Sequence, residues 1–321
     1  MGSSHHSPVW LTLFSAIVGL GLTSCGQPAG NSTGAENDKP SVVTTSTMIT
    51  DWTKQVGGDE IAVTGILKPG ADPHVYEPIP ADSRAMEQAD LILYNGYNLE
   101  PELRKVMEGT GMSPEKTFAV AEVIPPLDYE YNGQSVPDPH VWGDAENAIA
   151  MVNAIRDRLI ELSPEDAAEF RENAAQYTDK LAQLDQWILQ QIQTIPANQR
   201  QLVTTHDAFQ YYARAYDLEV TGTLIGISTE EQPSAQTVKN LANAVQQSNV
   251  PAIFAETTLN PALITTVAQE AGVKLAEPEL YSDSIGAPKS EANSYIGMLT
   301  VNTRTLVEAL GGNYADFETT Q

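Results

Sequence analysis

The chain has 321 residues, with 17 Lys and Arg against 42 Asp and Glu and a formal net charge of −25. So acidic a chain argues against a nucleic-acid partner, because nothing would neutralise the phosphates. Its length suffices for two domains with real cores, and its single cysteine, Cys25, leaves no internal disulfide and no cysteine metal site.

Residues 9–22 form an apolar run, too short to span a bilayer as a mature helix and placed where a signal peptide belongs. The run ends in Leu22-Thr23-Ser24-Cys25, which resembles a bacterial lipobox. In such a motif the cysteine is lipidated and becomes the first mature residue, so Cys25 is read as an anchor and residues 1–25 as the signal. The first eight residues depart from this pattern in having no Lys or Arg, and they open like an expression tag. Residues 26–40 are rich in Gly, Ser, Asn and Pro and read as a flexible tether. The mature body is therefore expected outside the cytoplasm, lipid-anchored and facing the periplasm or cell exterior.

From residue 41 the pattern alternates. Residues 41–49 are rich in β-branched side chains and predict a strand, with a short helix over 51–56. Strands are expected at 61–67, 90–96 and 117–123, and helices at 81–89 and 100–108. Residues 125–139 read as a loop rich in Pro, Gly and Tyr. A helix over 145–162 carries Ile149, Val152, Ile155, Leu159 and Leu162 on one face. This alternation argues for a parallel sheet with helices on its faces, a first (β/α) lobe over 41–163.

Residues 164–195 predict one long helix. Ser163 stands at the N-cap position, Pro164 at the first helical position, and Pro196 ends the run. Apolar residues recur at Phe170, Ala174, Tyr177, Leu181, Leu184, Ile188, Ile192 and Ile195, one continuous stripe. Such a helix would be ~48 Å long, which suits a rigid strut between two lobes. The second lobe, 196–321, repeats the alternation. Its strands are expected at 201–206, 219–225, 251–256 and 274–281, and its helices at 208–216, 235–247, 261–271 and 292–310.

The chain after Cys25 contains three histidines, His74, His140 and His206. Each stands at a strand end or in a loop before a helix, and none lies on an apolar helix face. The tripeptide Asp-Pro-His occurs twice, at 72–74 and 138–140, where proline stiffens the loop. Ligands in open α/β sheets bind beyond the carboxyl ends of strands, and His206, Glu256 and Asp283 all fall at such ends. Imidazole is the commonest metal ligand, and a carboxylate completes a four-ligand site. Asp283 is taken as the fourth ligand. Glu256 is the alternative, or a residue that orients a histidine from behind. Asp72 and Asp138 read equally well as orienting groups or as turn stabilisers, and Tyr76 and Trp142 as packing residues.

At these residues the sequence resembles a known family, the metal-binding lipoproteins of bacterial manganese/zinc ABC importers (the cluster A-I solute-binding proteins). The resemblance rests on Gly70-Ala-Asp-Pro-His74 with Tyr76-Glu77-Pro78, on Asp138-Pro-His-Val-Trp142, on Val203-Thr-Thr-His-Asp-Ala-Phe209, on Phe254-Ala-Glu256 and on Tyr281-Ser-Asp-Ser-Ile285. It covers nearly the whole mature chain. It implies an α/β fold of two lobes joined by one rigid helix, with small lobe tilts on metal release. It also implies a monomer with metal ligands at His74, His140, His206 and Asp283 in the interlobe cleft. The implied task is delivery of the ion to a membrane permease driven by a cytoplasmic ATPase, with no chemistry of its own. Many members assigned to manganese or iron carry Glu where this chain has His206, and three nitrogens with one carboxylate favour zinc over manganese. Many zinc members carry a His-rich loop between the first two ligands, whereas residues 75–139 contain no histidine. The rival readings are a zinc metallo-hydrolase and a surface adhesin sharing the fold.

Overall fold

The computed structural model describes residues 39–319, apart from 110, 112, 132, 133 and 249. The signal, Cys25 and most of the tether lie outside the described residues. Among the described residues no helix is long and apolar enough to cross a membrane.

The first half contains β1 (Ser41–Thr44), α1 (Thr47–Gly57), β2 (Ala62–Gly65), α2 (Pro80–Gln88), β3 (Leu91–Tyr94), α3 (Pro101–Gly109) and β4 (Thr117–Ala119). The four strands make a parallel sheet in the order β2-β1-β3-β4. The strand expected over 41–49 stops at Thr44, because Ser46 accepts the Ile49 N–H and starts α1. A capping hydroxyl outweighs the β-propensity of the residues that follow it. Residues 125–139, expected as loop, contain the antiparallel hairpin β5 (Asp128–Tyr131) and β6 (Gln134–Pro137). Helix α4 (Ala145–Leu162) has the expected bounds and is capped by Asp144, whose side chain accepts the Glu146 N–H.

The long helix is α5 (Ala167–Gln193), shorter at both ends than the expected 164–195. Pro164–Asp166 forms a 3-10 turn, and the Ser163 hydroxyl donates to the Asp166 carboxylate instead of capping backbone N–H groups. The remaining 27 residues still extend ~40 Å, and all eight members of the predicted stripe are buried.

The second half holds β7 (Gln201–Thr204), α6 (Gln210–Tyr216), β8 (Glu219–Thr223), α7 (Ala235–Ser248), β9 (Ala252–Ile253), α8 (Ala262–Ala271), β10 (Lys274–Leu275) and α9 (Tyr295–Ala309). Strands β7 and β8 pair in parallel, as do β9 and β10. The Phe254 N–H donates to the Val203 carbonyl at 2.9 Å and sets β9 beside β7. The resulting order β8-β7-β9-β10 repeats that of the first half. Strands β9 and β10 are much shorter than expected, although a parallel bridge from Glu256 to Leu280 continues the ladder beyond them.

One hydrophobic cluster runs from Val42 and Trp52 through Ile155, Phe170 and Leu184 to Tyr295 and Leu306. It therefore spans both halves and the long helix. Smaller clusters cover the outer sheet faces, around Val43, Ile92 and Leu103 in the first half and around Val203, Val245 and Ile264 in the second. Val42 and Val43 enter different clusters because successive strand side chains point to opposite faces. The half-buried Asp51 side chain adds a polar tie, accepting the Tyr295 N–H at 2.9 Å and the Tyr177 hydroxyl at 3.4 Å. It thus joins α1, α5 and α9. A close-packed core shared by both halves resists hinge opening. Solution scattering is accordingly expected to give the same radius of gyration for metal-free and metal-loaded protein. A change of several ångströms would contradict the shared core.

Candidate metal centre

Four short segments converge between the halves. His74 ends the loop after β2, and His140 follows the β5–β6 hairpin. His206 lies two residues past β7, and Asp283 follows Leu280 at the end of the β9–β10 ladder. Both Asp-Pro-His loops use the same local device. The Asp72 carboxylate accepts the His74 N–H at 2.9 Å, and the Asp138 carboxylate accepts the His140 N–H at 3.0 Å. The Thr204 hydroxyl donates to the His206 carbonyl at 2.8 Å. The Trp142 indole N–H donates to the Ser282 carbonyl at 2.9 Å, fixing the residue before Asp283.

These side chains meet at one point. The Nε2 atoms of His74 and His140 are 3.2 Å apart. Asp283 Oδ1 lies 3.4 Å from His140 Nε2 and 3.8 Å from His74 Nε2, and Asp283 Oδ2 lies 3.3 Å from His206 Nε2. One ligand atom from each of the four residues falls within 4.8 Å of the other three. All four residues are buried. His206 Nε2 and Asp283 Oδ1 have no hydrogen-bond partner although both are buried. Unpaired buried polar atoms are costly, and a cation at the convergence point would satisfy both. Three nitrogens and a carboxylate make a donor set for a divalent transition ion.

Two histidines are oriented from behind. His140 Nδ1 lies 2.7 Å from Asp138 Oδ1. Glu256 accepts the His206 backbone N–H at 2.8 Å and also hydrogen-bonds the His206 ring at Nδ1. Glu256 thus sits behind the His206 ring and is not among the four converging side chains. Asp138 likewise both closes its turn and orients a ring. Asp72 closes its turn, but its second oxygen accepts from the Thr229 hydroxyl at 2.6 Å and does not reach the His74 ring. Trp142 sets its ring edge-on to His140, with centroids 5.3 Å apart. The Tyr76 hydroxyl donates to Asp82 at the start of α2, a packing role.

Burial and charge act on these groups in opposite directions. Burial holds His74 well below the usual imidazole range, and the neighbouring His140 and His206 lower it further against the pull of Asp283. Burial opposes charge on His140 and His206 too. For His140 the charge of Asp138 leads the opposing effects, and for His206 that of Glu256; with Asp283 they raise both histidines. Asp283 is held far below the ordinary carboxylate range despite its burial, chiefly by His206.

Several residues escape a reading from sequence. The Asn95 amide donates to the Pro139 carbonyl at 3.0 Å beside His140, and its own N–H is held by Glu100 at 2.7 Å. The Tyr211 hydroxyl donates to the Asp138 carbonyl at 3.0 Å. Thr229 and Ser284 act on the His74 loop. Of these only Ser284 falls within a motif, Tyr281-Ser-Asp-Ser-Ile285, which gives it no role of its own, and Tyr94-Asn95-Gly96 hints at a turn. A cleft of about 370 Å³ leads to His74, with Tyr97, Asn98, Lys105 and Pro139 on one side and Ser228 and Glu230 on the other.

Comparison with known proteins gives the same answer along the whole folded body. The family model described as "ZnuA: Zinc-uptake complex component A periplasmic" matches residues 42–309. The manganese-binding lipoprotein MntA of Halalkalibacterium halodurans is 33% identical over 299 residues, covering 92% of this chain and 96% of its own. The manganese ABC transporter substrate-binding lipoprotein PsaA of Streptococcus pneumoniae is 32% identical over 306 residues, covering 94% and 97%. The structure of the periplasmic zinc-binding protein TroA from Treponema pallidum superposes with a TM-score of 0.80 at 36% identity, covering 85% of this chain and 99% of TroA.

Proposed function

The chain belongs to the periplasmic zinc-uptake component A family, and from that footing we propose that it is the extracytoplasmic solute-binding component of an ABC importer. It captures a divalent transition-metal ion and hands it to a membrane permease driven by a cytoplasmic ATPase. His74, His140, His206 and Asp283 hold the ion as cargo, Asp138 and Glu256 orient two of the histidines, and a lipid on Cys25 keeps the monomer at the membrane. Residues 41–163 and 196–321 act as the two lobes and 164–195 as the strut. The observation that carries this reading is the convergence of four buried ligand atoms, two of them without another partner.

Three imidazole nitrogens and one carboxylate favour zinc over manganese as cargo. Four protein ligands complete a tetrahedral sphere and leave no position for the water that a hydrolytic zinc site needs. That supports binding without turnover.

Titration calorimetry of metal-stripped protein with zinc and manganese in competition tests the proposal. One tight site that prefers zinc is expected. His206→Glu should move the preference toward manganese by about tenfold or more, because a hard oxygen replaces a nitrogen. Failure of either ion to bind stoichiometrically would overturn the assignment.

A further inference from the structure

The three histidines of the cluster are held in two different ways. His140 and His206 each have a carboxylate on the ring nitrogen that faces away from the convergence point. Among the described residues His74 has no such carboxylate; its ring meets His140, His206 and Asp283 inside the cluster. Its position depends on its loop, and that loop is fastened to the opposite half of the molecule. Gly70, at φ 84°, turns the chain so that its N–H donates to the Ser284 hydroxyl at 2.8 Å. Two residues on, Asp72 uses one oxygen to hold the His74 N–H at 2.9 Å and the other to accept the Thr229 hydroxyl at 2.6 Å. Thr229 is 8% exposed and lies between Ser228 and Glu230, which line the cleft that reaches His74.

We propose that Thr229 is a latch on the His74 loop: its hydroxyl, bonded to Asp72, keeps His74 in the cluster, and breaking that bond opens the route by which the ion leaves. The proposal rests on the reading of the four side chains as metal ligands. Thr229 is a positioning residue, since it acts on His74 through Asp72 and touches no ligand atom. His140 and His206, each held by a buried carboxylate, remain as the fixed part of the site. The Asp72–Thr229 bond joins a carboxylate to a hydroxyl across the two halves, so it is among the stronger single hydrogen bonds available to such a latch.

The test is stopped-flow transfer of zinc from the loaded full-length protein to a chromophoric chelator. Thr229→Val removes the hydroxyl at nearly constant volume, Thr229→Ala removes it without a branched replacement, and Thr229→Ser keeps it. Both hydroxyl-free variants should bind one zinc, melt like the parent when metal-free, and release zinc about tenfold faster, the effect of losing one hydrogen bond to a charged group. Thr229→Ser should restore the slow rate. In an Asp72→Ala background Thr229→Val should add nothing, because the bond is already gone. Release from both Thr229→Val and Thr229→Ala within about twofold of the parent would overturn the latch. So would a Thr229→Ser protein as fast as they are, since packing and not the hydroxyl would then be responsible. Absence of zinc binding by the parent protein would bring down the metal-site reading itself, whereas binding with unaltered release overturns the latch alone.

Discussion

Asp283→Asn is expected to weaken zinc binding by about 10²–10³-fold while leaving the fold intact. Asp283 is the single carboxylate of the converging set, with its oxygens 3.3, 3.4 and 3.8 Å from the three imidazole nitrogens. Structural zinc sites contribute about 10–16 kcal/mol in total, so one ligand of four represents about 3–4 kcal/mol, and each 1.4 kcal/mol is tenfold in affinity. Asparagine preserves the shape and one acceptor oxygen but removes the negative charge, which in the proposed site would offset part of the charge of the dication. Asp283 belongs to none of the hydrophobic clusters, so circular dichroism of the metal-free variant should match the parent. Competition against a chelator of known affinity gives the number. Parental affinity in Asp283→Asn would remove Asp283 from the ligand set.

Trp52→Ala should lower the unfolding free energy of the metal-free protein by about 3–5 kcal/mol, the usual range for deleting a buried large aromatic side chain. Trp52 lies on α1 with none of its surface exposed. It meets Tyr295, the first residue of α9, edge to face with ring centroids 5.0 Å apart and planes at 72°. The contact thus joins the first half of the chain to its last helix beside the Asp51 tie, and neither half can refill the space without moving the other. Urea unfolding followed by circular dichroism measures the loss. A cost below about 1 kcal/mol would mean that the two halves do not depend on this shared core.

Much of this molecule is legible in its sequence because period, caps and breakers act locally. The stripe from Phe170 to Ile195 is visible from spacing alone and is buried throughout. Helix α4 has the bounds that its apolar period indicates, and the strand–helix alternation is enough to indicate parallel sheets. The misreadings arise where two local signals compete. At Thr47–Ile49 β-branched residues favour a strand, and the hydroxyl of Ser46 settles the matter for a helix. At Pro164 the residues allow a helical start, but a 3-10 turn forms and α5 begins at Ala167. The hairpin over 128–137 was hidden by its turn-rich composition, since pairing depends on register between strands and not on the residues of either.

The candidate site divides along the same line. Sequence by itself determined which side chains are available: three histidines, two of them in proline-stiffened loops, and carboxylates at strand ends. Residue type, spacing and backbone restriction are local properties, and they suffice to nominate His74, His140, His206 and Asp283. Only the tertiary structure decided that their ligand atoms lie within 4.8 Å of one another. It likewise placed Glu256 and Asp138 behind two rings, turned Asp72 toward Thr229, and brought Asn95 to Pro139 and Ser284 to Gly70. The Asp72–Thr229 and Gly70–Ser284 contacts are 157 and 214 residues apart along the chain. A hydrogen bond over such a separation leaves no local pattern, because it is set by how two sheets and a shared core fix distant loops relative to each other.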